Sequence, residues 1–134
     1  IDQCGGFRED KKLGKVIMGG PMMGIAQHTT NIPTNKGTSG ILCLDEMESK
    51  TPKPKNCLRC GKCLDVCPAF LQPLYISAYS INGDYESSEK YRALDCIECG
   101  SCSFICPARR PLLQSIRVAK KEIIALKRKQ STSK

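Results

Sequence analysis

One cysteine phrase, written twice, constrains this chain more than any other feature. It reads Cys57-x₂-Cys60-x₂-Cys63-x₃-Cys67-Pro68, and again Cys96-x₂-Cys99-x₂-Cys102-x₃-Cys106-Pro107. Three thiolates two residues apart can wrap a short loop around three corners of one [4Fe–4S] cube, and this is the run that holds such cubes. The fourth cysteine, set off by three residues, is turned away from its own loop. The proline after it ends the local turn and has no N–H to donate. In proteins with two cubes, the fourth thiolate completes the other cube. The phrases therefore predict crossed ligand sets: Cys57, Cys60, Cys63 and Cys106 on cluster I, and Cys96, Cys99, Cys102 and Cys67 on cluster II. The chemistry expected is electron transfer. It needs no acid, base or nucleophile, so no residue is assigned a catalytic role.

Two other uses of cysteine compete with this one. Pairs of C-x₂-C also build structural zinc sites, and eight cysteines could hold two zinc ions in an interaction module. Zinc sites, however, use separated pairs, without a third cysteine in register and without x₃-Cys-Pro. A disulfide framework would suit a small secreted protein, but nothing here reads as a signal peptide. With no run of 18 apolar residues, nothing in the sequence spans a membrane. Tryptophan is absent and only seven residues are Phe or Tyr. The apolar core must be modest, so metal clusters are expected to supply much of the folding energy. The chain opens Ile1-Asp2-Gln3-Cys4, which suggests a piece of a longer protein whose other part holds an active site.

The formal charge of +8 is unevenly placed. Residues 1–50 and 51–108 each carry six basic and six acidic side chains, whereas residues 109–134 carry nine basic ones against Glu122 alone. Two clusters of about −2 each would bring the loaded chain to about +4.

Residues 1–46 read as the end of a β-containing domain. Val16-Ile17-Met18 is a short apolar run stopped by Gly19-Gly20-Pro21, and Gly40–Leu44 is a second, with a polar loop at 29–34 between them. Two short strands cannot form a stable sheet alone. Residues 47–56, with two prolines and several charges, read as a linker. Residues 57–111 hold the phrases. Between the phrases a helical hairpin is predicted. Pro73 starts its first helix, whose apolar face is Leu74, Ala78 and Ile81 with Tyr75 and Tyr79, and Asn82-Gly83 stops it. Asp84 or Ser87 caps the second, which carries Tyr91 and Leu94. Over 112–134 a basic amphipathic helix and tail are expected. Pro111 starts that helix, and Leu112, Ile116, Ala119, Ile123 and Leu126 line one face. The cysteine phrases are the only repeat evident.

The stretches Lys15–Gly24, Lys36–Leu42, Asn56–Pro68 and Ala93–Pro107 together resemble the C subunit of the Rnf electron-transport complex. The cysteine phrases are common to many ferredoxins, and Gly19–Gly24 narrows the family. The resemblance implies an α+β fragment: residues 1–46 as the end of a β-grasp (SLBB) domain, then an α-helical dicluster ferredoxin domain with a C-terminal helix. It implies ferredoxin:NAD⁺ oxidoreduction coupled to cation export, carried out by the whole complex. FMN and NAD are expected only in an upstream domain, so none of their contacts fall on these residues. The partners implied are other subunits of a membrane-bound complex and a redox protein carrying iron–sulfur or flavin, at the cytoplasmic face of the membrane. Cobalamin reductases of propanediol-utilising microcompartments share the same plan and are the alternative.

The remaining features have plainer readings. Cys4 and Cys43 are expected as core or loop filler, and Met18, Met22 and Met23 as packing residues. Gly19–Gly24 lacks the G-x-G-x-x-G order and reads as a tight turn. His28, the sole histidine, is expected at the surface. Charges beside the phrases (Lys62, Asp65, Glu98) are expected to tune potentials. The basic tail reads first as a solvated helix packed on the cluster domain, and next as a contact for an acidic partner or anionic lipid. It lacks stacking aromatics, so nucleic acid is not expected.

Overall fold

The computed structural model describes residues 1–132, which divide into two compact units between Pro52 and Lys53. Among the described residues no helix is long and apolar enough to cross a membrane.

The first unit is a three-stranded antiparallel sheet. Strand β1 (Leu13–Met18) lies between β2 (Ile25–Gln27) and β3 (Ile41–Asp45). Val16 faces Gln27 on one side and Cys43 on the other, and it is the buried residue of the sheet. The two apolar runs are strands, as expected. The third strand, β2, is not legible in the sequence, because three residues carry no readable alternation. The turn from β1 to β2 needs its glycines. Gly19 has φ +105°, and a Cβ on Gly24 would fall 2.4 Å from the Gly20 carbonyl. Three packing expectations fail here: Met22, Met23 and Cys43 are exposed rather than buried. A sheet this small has too little interior to cover them.

The second unit is helical: α1 (Lys62–Asp65), α2 (Pro73–Ile81), α3 (Tyr85–Lys90), α4 (Ser101–Ile105) and α5 (Leu112–Thr132). Pro73 opens α2, where its missing N–H costs nothing. Asn82 caps α2, and Gly83 reverses the chain at φ +74°. Asp84 then caps α3 by accepting from Ser87 N at 2.9 Å. The core joins Leu71, Ile76, Ala93, Ile116, Ala119 and Ile123.

Three predicted faces need correcting. The first is on α3, which stops at Lys90, so Tyr91 only caps it and Leu94 lies in a separate turn, Ala93–Asp95. On α2 the buried residues are Pro73, Ile76, Ser77 and Ser80, while Ile81 is 60 % exposed. Serines can face inward because α5 satisfies them: Ser80 Oγ donates to the Ser115 carbonyl at 2.6 Å, and Ser115 and Ser77 share a 2.7 Å hydroxyl contact. On α5 the predicted stripe holds from Leu112 to Ile123, but Leu126 is 46 % exposed. Beyond Ile123 the α5 side chains described through residue 131 are exposed. The repeat also extends further than the phrases. Cys57 to Cys96 is a step of 39 residues, and the same step relates the starts of α1 and α4 (Lys62, Ser101) and of α2 and α5 (Pro73, Leu112).

Candidate metal centre

Each cysteine loop is shaped by left-handed backbone at matched positions. Arg59 and Glu98, inside the loops, have φ of 52° and 59°, and Gly61 and Gly100, before the third cysteine, have φ of 80° and 82°. Phe70 and Arg109, three residues after the fourth cysteine, have φ of 50° and 52°. A non-glycine residue held at positive φ is strained, and such strain persists only where the surroundings impose it. Here it curls the chain so that amide N–H groups point at sulfur. Arg59 N approaches Cys57 Sγ at 3.3 Å, Glu98 N approaches Cys96 Sγ at 3.4 Å, and Leu71 N approaches Cys67 Sγ at 3.4 Å.

The eight thiols line two cavities, four to each. Cys57, Cys60, Cys63 and Cys106 line the first, of about 520 Å³, together with Tyr75 and Arg110. Cys67, Cys96, Cys99 and Cys102 line the second, which is narrow and walled by Leu71, Leu113 and Ile116. Each fourth cysteine thus faces the first three of the other phrase. Among the described residues no three Cys, His, Asp or Glu side chains crowd together as a single-ion site. Cys4, Cys43 and His28 lie exposed in the first unit.

Burial sets the thiol chemistry. It pushes Cys102 up to about 11, with Cys96 adding to the effect. Burial also raises Cys63, reinforced by Cys106, Cys57 and Cys60, and raises Cys96 against the pull of Lys120. Cys99 is lowered by hydrogen bonds from Ser101. Protonated thiols partly buried along a shared cavity are costly to ionise unless a cation replaces the protons, which is how soft metal sites behave. The donor set of four sulfurs with amide N–H groups aimed at them suits an iron–sulfur cube.

The two cavities differ in their electrostatics. Over the second loop, Glu98 is clasped from α5. Lys120 Nζ donates to Glu98 Oε1 at 2.8 Å and to the Cys96 carbonyl at 2.7 Å, and Arg117 Nε donates to Glu98 Oε2 at 2.8 Å. The Lys120 hydrogen bond, then Arg117, holds the Glu98 carboxyl below its ordinary value. In the first cavity, Arg110 Nε is buried without a hydrogen-bond partner. Leaving such a donor unpaired costs about 1–3 kcal/mol, more for a charged group. Sequence reasoning names Glu98 but misses Arg110, Arg117 and Lys120, placing the last two on the solvated face. Their signal is there to be read: both cations flank the buried positions Ile116 and Ala119.

Residues 49–107 match the family model described as a 4Fe-4S dicluster domain. The chain is 60 % identical over 129 residues to the C subunit of the Na(+)-translocating ferredoxin:NAD(+) oxidoreductase complex of Acetobacterium woodii, covering 96 % of this chain and 29 % of that protein. It is 51 % identical to the C subunit of the proton-translocating ferredoxin:NAD(+) oxidoreductase complex of Clostridium ljungdahlii, over 91 % of this chain and 26 % of the relative. The C subunit of the ion-translocating oxidoreductase complex of Methanosarcina acetivorans is 44 % identical, over 92 % and 27 %. The chain spans about a quarter of the length of the curated relatives it matches. With four thiols at each of two cavities, the chain carries a 4Fe-4S dicluster domain and is similar along nearly its whole length to the C subunits of ion-translocating oxidoreductase complexes.

Proposed function

We propose that this chain is an electron-transfer module with two [4Fe–4S] clusters. Cys57, Cys60, Cys63 and Cys106 hold cluster I, and Cys96, Cys99, Cys102 and Cys67 hold cluster II. The observation that carries this reading is the sorting of the eight thiols into two rings of four, each closed by the other phrase's fourth cysteine. A tetrahedral zinc site with bonds of about 2.3 Å needs its donors grouped around one ion, and no such group of three stands among the described residues. When bound, each cube takes up and returns one electron. The residues here ligate the cubes, exclude water with Leu71, Leu113 and Ile116, and aim amide N–H groups at sulfur.

The wider assignments rest on the relatives. The chain works inside a membrane-bound complex that moves electrons between ferredoxin and NAD⁺ coupled to ion translocation. It docks on other subunits at the cytoplasmic face, and FMN and NAD are bound elsewhere in the full-length protein. Residues 1–46 are the end of an SLBB β-grasp domain, 47–56 a linker, 57–111 the ferredoxin domain, and 112–134 the basic helix and tail, of which 133–134 lie outside the described residues. The test is the crossing itself. Cys67→Ser should damage the cube nested in residues 96–102, and Cys106→Ser the cube nested in residues 57–63, read by iron and sulfide content and by loss of one of two EPR signals. Finding Cys67 bonded to the same cube as Cys57 would falsify the assignment, and a colourless, zinc-loaded chain would favour the interaction module.

A further inference from the structure

We propose that Arg110 donates its Nε–H to the cluster of the first cavity and makes that cluster the more easily reduced of the two. This rests on the reading that Cys57, Cys60, Cys63 and Cys106 hold a cube. Arg110 follows the left-handed Arg109 and precedes Pro111, whose ring favours extended backbone in the residue before it. This places Arg110 against the cavity while Arg109 stays at the surface. Its Nε is buried with no protein acceptor, and the four sulfurs beside it form an anionic group once metallated. A bound cube supplies the missing acceptor.

The internal repeat gives the comparison. The residue 39 positions earlier is Leu71, which is buried and lines the second cavity. One backbone position thus presents a guanidinium to one cube and an isobutyl group to the other. The rest of each lining agrees. Arg59, Lys62 and Arg110 line the first cavity, with no carboxylate among its lining residues, while no charged side chain lines the second. The first loop is also the more open, since Cys60 is exposed and Cys102 buried. Adding an electron makes a cube more negative. Hydrogen bonds to sulfur, nearby positive charge and solvent access each favour that reduced form, and an apolar wall disfavours it. Backbone N–H groups reach one sulfur in the first cavity and two in the second, and Lys120 and Arg117 meet Glu98 over the second loop. The Arg110 Nε–H thus evens the hydrogen bonding, while the cations of the lining and the solvent access favour the first cluster.

The experiment is an EPR-monitored redox titration of the anaerobically loaded chain, with dithionite as reductant and mediator dyes. Signals are assigned by which one is lost in Cys106→Ser. In the unmodified chain the first-cavity cluster should reduce first. Arg110→Leu should make its reduction at least tenfold less favourable, a fall of about 59 mV or more for one electron, and leave the other cluster in place. Arg110→Lys keeps the charge but not the Nε–H, and should give a smaller fall of the same sign. It also decides the matter if Arg110→Leu loses iron. Midpoints that stay put in the lysine variant and in an iron-replete leucine variant overturn the inference, as does an equal shift of both clusters. If Cys106→Ser removes neither signal, the ligand assignment has failed, and the inference goes with it.

Discussion

Replacing Glu98 by glutamine keeps its shape and removes the charge that two cations share. The Lys120 and Arg117 side chains are 18 % and 22 % exposed and that of Glu98 31 %, so the clasp lies between the surface and the interior. Breaking a fully buried ion pair costs about 3–5 kcal/mol, and an exposed pair is worth about 0.2–1 kcal/mol. With two half-buried cations left facing an amide, a cost of about 2 kcal/mol is expected. The clasp pins α5 to the loop carrying Cys96 and Cys99, so that cost appears as easier opening over the second cavity. If opening is rapid relative to iron capture, bleaching follows the open population, and about 2 kcal/mol corresponds to roughly thirtyfold faster loss of colour. The assay is the decay of visible absorbance under anaerobic conditions with an iron chelator. Glu86→Gln is the control: its pair with Lys90 is 82 % and 70 % exposed, and bleaching should change by no more than about twofold. Adding Lys120→Met to Glu98→Gln should cost much less than Lys120→Met alone, because the partners act as one unit. Glu98→Gln bleaching no faster than Glu86→Gln would refute the reasoning.

Other outcomes follow from the same geometry. Ile116→Ala, at a site 1 % exposed between α2 and α5, should destabilise the chain by about 2–5 kcal/mol, read as chemical denaturation at lower denaturant. Removal of residues 127–134 takes away the partly exposed Lys127–Glu89 pair and none of the buried core, so iron content should be unchanged; a large loss would contradict the packing. Burial raises Cys102 from 9.0 to about 11, so the metal-free thiol is protonated at pH values below 9.0 and loading there should release protons, seen with a weak buffer and indicator dye. By the same sign, that neutral thiol's contribution to the metal-free fold is complete below pH 9.0 and is lost as pH rises through about 11. The chain alone, loaded and given NADH with an artificial acceptor, should show no turnover above buffer, because it has no dinucleotide fingerprint.

What the sequence displays well is whatever depends on neighbours along the chain. Pro73 and Asn82-Gly83 bracket α2, and Asp84 caps α3, because caps and turns are decided within four residues. The grouping of the cysteines is legible for the same reason, each phrase being its own ruler. Inward-facing serines are not legible. Ser77 and Ser80 are buried only because Ser115, 35 or more residues away, completes their hydrogen bonds. Arg110 is hidden for a related reason: whether a cation beside another points to solvent or to sulfur is decided by the turn at Arg109, whose positive φ no residue type announces.

The basic tail shows how composition misleads when fold is ignored. Counted along the chain, residues 109–134 hold all the excess charge and read as a docking surface. In the structure, Arg110 lies against the first cavity, and Arg117 and Lys120 are committed to Glu98 and the Cys96 carbonyl. Lys127 pairs with Glu89. Deleting the whole of α5 therefore cannot separate docking from cluster binding, since Leu112, Ile116, Ala119 and Ile123 leave with it. Point changes can separate them. Lys121→Glu alters an exposed charge that lines neither cluster cavity, so it should weaken any salt-dependent binding to acidic partners or anionic vesicles and leave cluster bleaching unchanged. Binding that is indifferent both to Lys121→Glu and to added salt would remove the electrostatic role of the tail and leave its structural one.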